Sequence, residues 1–193
     1  MLDESEQICH DRLTSCLDVL AHATEGDHMP VTGSTQDLEA FTVTFECQFA
    51  ATPGQVWRMW AERGLLERWW GPPEYPATLV SHDLTPGGQV HYFMTGPDRE
   101  QYPGALRVTT LEEPTRLEFE DYFADPNGQV DPNLPVSSTR VELSPGPDDT
   151  TRMTLTSTAP SAEAMEQLIQ MGAIEGMTLA LGQIDALLTE IAS

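Results

Sequence analysis

The sequence predicts an α+β fold of order β-α-α-β6-α, in which one antiparallel sheet is covered by helices. A single long helical pattern closes the chain, from Ser161 to Ile191. Ahead of it, six strand signals follow one another with short connections, which argues for an antiparallel meander. Before those come one strongly alternating stretch, Phe41 to Ala50, and two short helical patterns. A sheet must bury its apolar face, and only these three helices are available to cover it.

The chain opens with a helical pattern over Ile8 to Ala21, with Cys9, Leu13, Cys16, Leu17 and Leu20 on one side. Thr24 to Asp37, rich in Gly, Ser, Thr, Asp and Pro, reads as a linker. Residues 1–38 are thus an extension and linker, and residues 39–193 the folded domain. Residues 1–28 are expected to lie outside the native protein. Glu25-Gly26 is encoded by GAR-GGN, which contains a purine-rich ribosome-binding core shortly before the codon of Met29, and translation is expected to start there. Mass spectrometry of the terminus of protein from its natural host tests this.

The stretch FTVTFECQFA puts Phe41, Val43, Phe45, Cys47 and Phe49 on one face of a half-buried strand. Cys47 is then a core thiol rather than a nucleophile. Thr52 and Pro53 open a helix whose aromatic side carries Val56, Trp57 and Trp60. Gly64 breaks it, and Leu65 to Trp70 forms a second short helix that stops at Gly71-Pro72-Pro73. The six strands follow at Ala77 to Leu84, Gln89 to Thr95, Tyr102 to Leu111, Arg116 to Phe123, Ser137 to Leu143 and Thr151 to Thr158. Turn chemistry separates them, notably Thr85-Pro86-Gly87-Gly88 and Gly96-Pro97-Asp98.

In the final helix Ser161 is a credible N-cap and Glu163 suits the positive end of the helix dipole. Met165, Leu168, Ile169, Gly172, Gly176, Met177, Ala180, Ile184, Leu187, Leu188 and Ile191 then recur at steps of three and four, giving one apolar face ~45 Å long. Gly172 and Gly176 sit one turn apart on that face, each ~1 kcal/mol worse than alanine in a helix interior. Either a strand approaches closely there or a space is left open. Met165, Met171 and Met177 surround the position, and methionine adapts to irregular spaces or to guests.

Composition narrows the function. Thirty-one acids against nine bases, all of them arginine, give a formal charge of −22. Without residues 1–28 the count is 24 acids against eight arginines, or −16, so the acidity belongs to the domain. Nucleic acid and anionic lipid are repelled by such a surface and are not expected partners. No stretch approaches the ~20 apolar residues of a membrane helix, and Met1 to Gln7 is acidic where a secretory signal is basic. Three cysteines cannot all pair within one chain, and a reduced, cytoplasmic setting is the expectation.

Particular words of the sequence point further: AATPGQVWRMW, LLERWWGPP, HDLTPGGQVHYFMTGPD, EEPTRLEFED, TRMTLT and MGAIEGMTLALGQIDALL. In that order, from about Phe41 to Leu188, they resemble the bacterial relatives of the C-terminal domain of the activator of heat-shock-protein-90 ATPase, a branch of the helix-grip (START-like, SRPBCC) superfamily. The resemblance implies a curved antiparallel sheet gripping the last helix, with a cavity between them that in relatives holds apolar or amphipathic small molecules. The co-chaperone role of eukaryotic relatives depends on an additional N-terminal domain and is not carried over. Some superfamily members are cyclases or hydroxylases, but no iron–sulfur or non-haem iron motif is present here.

Strand parity proposes a lining. With Val90, Tyr92 and Met94 facing the helix, as the family's equivalents suggest, the same face carries Leu106, Val108, Leu117, Phe119, Val141, Leu143, Met153 and Leu155. Tyr92 is the polar handle of an otherwise apolar wall. The candidate ligand-binding residues are Trp60, Trp69, Trp70, Tyr92, Met94, Phe119, Met153, Met165, Gly172, Gly176 and Met177. The tryptophans equally suit seating the short helices on the sheet, and the whole lining equally suits a filled core.

Chemistry beyond binding has few candidates. No nucleophile, zinc or phosphate-loop motif occurs. His82 and His91 come opposite each other if the TPGG turn pairs its strands symmetrically, which makes a solvated pair and not a metal site. Asp83 and Asp121 are the acids whose parity turns them inward, where burial would raise their pKa. The expectation is a binder of an apolar or amphipathic small molecule, without metal or cofactor. A cyclase or isomerase using the same cavity is one alternative. A co-chaperone-like or regulatory protein that engages an unidentified protein partner is the other.

Overall fold

The structure, a computed structural model, describes residues 30–125 and 128–192. Eight strands form one antiparallel sheet: β1 (Val31–Asp37), β2 (Thr42–Phe49), β3 (Ala77–His82), β4 (Gln89–Thr95), β5 (Gln101–Glu112), β6 (Arg116–Phe123), β7 (Ser137–Pro145) and β8 (Thr151–Thr158). The spatial order is β1-β2-β8-β7-β6-β5-β4-β3, so the meander β3 to β8 is closed off by β2, which returns to pair with β8. Two short helices, α1 (Pro53–Ala61) and α2 (Arg63–Trp69), separate β2 from β3, and three consecutive helical segments end the chain: α3 (Ala162–Gln170), α4 (Ala173–Gly182) and α5 (Ile184–Ile191). This is the helix-grip fold, a curved sheet holding a long C-terminal helical stretch in its concavity.

The alternation of each strand decides which side faces that stretch. Val43, Phe45, Cys47 and Phe49 of β2 are buried, as are Leu106 and Val108, Leu117 and Phe119, Val141 and Leu143, and Met153 and Leu155 of the meander. From the helices Val56, Trp57, Met59, Trp60, Leu66 and Trp69 close one end of this core, and Leu181, Ile184, Leu187 and Leu188 lie along it. Local signals set the helix starts. The Gln55 side chain accepts the Thr52 backbone N–H at 2.9 Å, and Ser161 Oγ accepts from the Ala164 N–H at 3.2 Å. Trp69 Nε1 donates to the Met59 carbonyl at 2.9 Å, satisfying an indole buried at 0% exposure and locking α2 onto α1.

Three expectations need correction. Residues 31–37 are not linker: VTGSTQD forms β1, paired to β2 from Val31↔Cys47 to Asp37↔Thr42. Its polar composition is that of an exposed edge strand, where only the backbone has to match. His82 and His91 are not opposite each other: the turn pairs its strands one residue off the symmetric register, as Ser81↔His91 and His82↔Val90, and a bulge between Leu79 and Ser81 follows. The C-terminal helix is interrupted: Gly172 takes a left-handed φ of 75° between α3 and α4, a conformation that glycine adopts without the Cβ clash other residues meet. The helical pattern over Ile8 to Ala21 and the start at Met29 lie outside the described residues.

Candidate functional site

A cavity of about 220 Å³ lies between the sheet and the C-terminal segments, directly beneath the break at Gly172. Its floor comes from β2, β7 and β8 through Val43, Phe45, Thr139, Leu155 and Ser157; one wall comes from β4 to β6 and the loop after α2; the roof is α3 and α4. A Cβ built at Gly172 or at Gly176 meets no atom within 4 Å. Of the two explanations open for the paired glycines, the structure therefore shows the open space and not a close-packed strand.

Seven of the eleven candidate residues stand on the cavity wall: Trp70, Tyr92, Met94, Met165, Gly172, Gly176 and Met177. The other four, Trp60, Trp69, Phe119 and Met153, do not reach it. They are 0–1% exposed and form the packed layer behind the wall. The tryptophans do this by edge-on contact, with Trp60 and Trp69 centroids 4.7 Å apart at 81° and Trp70 5.5 Å from Trp69. Trp70 is the one that turns outward from this stack, its ring 6.0 Å from Tyr92. Seating the helices thus absorbs three of the four tryptophans, and Trp70 serves both the seat and the wall.

The polar end of the cavity is built across three strands. Tyr92 on β4 is paired with Gly104 on β5, and a Cβ at Gly104 would meet the Tyr92 ring at 2.6 Å. Only glycine there lets the ring lie across β5 and reach β6. Its hydroxyl donates to Asp121 Oδ1 at 3.3 Å, and the same carboxylate accepts the Tyr122 backbone N–H. Burial pushes the Asp121 carboxyl up to about 6, against the opposing effect of these two hydrogen bonds. Burial, and then the neighbouring Asp121 charge, pushes the Tyr92 phenol well above its ordinary value. Trp70 Nε1 faces the Tyr92 hydroxyl without closing a hydrogen bond to it, so this buried indole N–H has no partner among the described residues.

Many lining residues escaped sequence reasoning, Gly104 and Glu175 among them. Gly104 sits inside a strand pattern and carries no signal except its own lack of a side chain. Glu175 lines the roof, with Oε2 buried and without a hydrogen-bond partner among the described residues. Its steps of three and four from Leu168, Gly172 and Leu179 put it on the same helical face, a spacing that identifies it once polar residues are included in the pattern.

Other candidates take structural roles. Asp83 is exposed and caps its turn, accepting from the Thr85 N–H at 3.0 Å and hydroxyl at 2.7 Å, which holds its carboxyl below the usual range. His82 Nε2 lies 3.2 Å from the Trp60 carbonyl, and His91 Nε2 lies 2.8 Å from Gln89 Oε1. Among the described residues no three His, Cys, Asp or Glu side chains gather closely enough to hold a metal ion. Cys47 is buried and free, and burial pushes its thiol up to about 12. No helix among the described residues is long and apolar enough to cross a membrane.

Fold and cavity together define a helix-grip domain of the START-like class. Residues 50–189 match the family model described as Activator of Hsp90 ATPase homolog 1-like protein, and the chain belongs to that family. It is similar to a crystal structure of a Mycobacterium smegmatis protein, at 46% identity over 82% of this chain and 96% of that one, with a TM-score of 0.76. An Arthrobacter aurescens protein solved by NMR is 43% identical over 83% and 92% of the two chains, with a TM-score of 0.80. A Staphylococcus epidermidis protein is 27% identical over 81% and 94%, with a TM-score of 0.71. A comparison with curated proteins finds no match.

Proposed function

We propose that the protein binds an apolar or amphipathic small molecule in the cavity between the sheet and the C-terminal helical segments, without metal or cofactor. The observation that carries this reading is the empty volume under Gly172 and Gly176, walled by Phe45, Met94, Leu155, Met165 and Met177. Gly176, within α4, forgoes packing that alanine or leucine would supply, which is costly unless the space is used.

The uncharged dye Nile red tests it. Saturable, blue-shifted fluorescence is expected with the wild-type protein, and at least about tenfold weaker binding with Gly176→Leu, whose side chain enters the free volume. Circular dichroism checks that the variant is folded. Absence of dye binding in the wild type, or equal binding by both proteins, defeats the reading. Native mass spectrometry of protein from its own host then seeks the natural occupant.

A second reading is supported by the Tyr92–Asp121 pair: a carboxyl with a pKa near 6 beside a phenol is an acid–base couple that suits proton transfer on a bound carbonyl compound, as in a cyclase or isomerase. Recovery of a co-purifying molecule unchanged after incubation favours binding; its conversion, lost in Asp121→Asn, favours catalysis.

A further inference from the structure

Within the small-molecule reading, the polar groups on the cavity wall say what kind of head group fits. Among the described residues the charged side chains lining it are Asp121 and Glu175, both acidic, and no arginine lines it; the chain contains no lysine at all. Asp121 already accepts from Tyr92 and from the Tyr122 N–H, which leaves lone pairs on a carboxylate that has about four acceptor sites. Glu175 stands on the opposite side, and its Oε2, like the indole N–H of Trp70, is packed away from the cavity without a hydrogen-bond partner among the described residues. The cavity thus offers Asp121 as an acceptor with spare capacity. A hydroxyl group fits that wall, because it donates to a carboxylate.

We propose that this cavity selects by head group: it takes an apolar molecule carrying a neutral hydroxyl, anchored on Asp121, and it rejects apolar molecules that end in a carboxylate. A carboxylate has no proton to donate and would sit desolvated beside Asp121 and Glu175 with no cation to offset them. The field of a chain of charge −22 opposes its approach as well. An ether of the same length loses the donor for Asp121. Fatty acids are therefore excluded as occupants, and alcohols, phenols and sterol-like molecules are the matching class.

The test is displacement of Nile red from the full-length protein at pH 7.5 by 1-decanol, 1-methoxydecane and decanoate. Decanol is expected to compete about tenfold better than the ether and better still than decanoate, the factor expected of one hydrogen bond to a charged group. In Asp121→Asn/Glu175→Gln the gap between decanol and decanoate narrows by about tenfold or more, through a gain for decanoate. Decanoate competing as well as decanol with the wild type overturns the proposal, and so does an ether equal to the alcohol or a gap unchanged in a folded double variant. The wild-type series decides the matter alone if that variant does not fold. Nile red that binds while the three competitors fail to separate removes this inference and leaves small-molecule binding intact; Nile red that does not bind removes both.

Discussion

At the scale of single residues, Asp121 shows how placement changes chemistry. Its strand parity alone turns it inward with Leu117 and Phe119, so its side was legible from the alternation LEFED. Its partner was not, because Tyr92 reaches it only across the bare backbone of Gly104, two strands apart in the sheet. The raised pKa has a definite consequence for stability. Below the ordinary carboxyl pKa both folded and unfolded chains hold the proton. As pH rises from about 4 to about 6 the unfolded chain releases it first, so the folded state loses relative stability, and the loss is complete above about 6. Asp121→Asn removes that penalty and keeps an acceptor for Tyr92. Thermal melts of variant and wild type are expected to coincide near pH 4, with the variant higher by roughly 6–12 °C at pH 7.5, corresponding to about 3 kcal/mol. A constant difference at all pH values would show that burial does not hold this proton.

The C-terminal stretch carries the argument at the level of elements. Periodicity identified its buried face correctly because steps of three and four survive a local break. The break itself was illegible, since a glycine in a left-handed turn and a glycine in a helix read identically in sequence. The structure separates the two: Gly172 has φ of 75°, whereas Gly176 lies within α4. Alanine at Gly172 meets the steric cost of the left-handed region, about 1–2 kcal/mol. Alanine at Gly176 gains helix propensity of about 0.5–1 kcal/mol and meets nothing within 4 Å. Urea denaturation is expected to show opposite shifts of midpoint for the two substitutions. Shifts of the same sign would mean that the segments form one continuous helix in solution. The Gln183 side chain ties the far end of α4 to the loop after α2, donating to the Gly71 carbonyl at 2.8 Å.

For the whole molecule, charge is the dominant global property. Arg58, Arg68, Arg107, Arg116 and Arg140 are already engaged by Glu62, Glu190, Glu120, Glu112 and Glu118, all at partly or fully exposed positions. Such pairs contribute about 0–1 kcal/mol each and leave most acids unopposed. The folded state therefore carries self-repulsion that salt screens, and the melting temperature is expected to rise between about 0.02 and 0.5 M sodium chloride. A fall would mean that the ion pairs outweigh the repulsion. Strand order and the central core were readable because turn residues such as Thr85-Pro86-Gly87-Gly88 punctuate strictly alternating strands. Strand β1 was not, since an outer strand needs no apolar face and VTGSTQD looks like a tether. That strand covers the hydrogen-bonding rim of Thr42–Phe49. Cutting the chain back to residue 39 would strip this cover and leave a row of open amides and carbonyls beside Phe45 and Phe49, a template onto which another molecule's strand could add, so the unassuming polar tether doubles as the protein's guard against self-association.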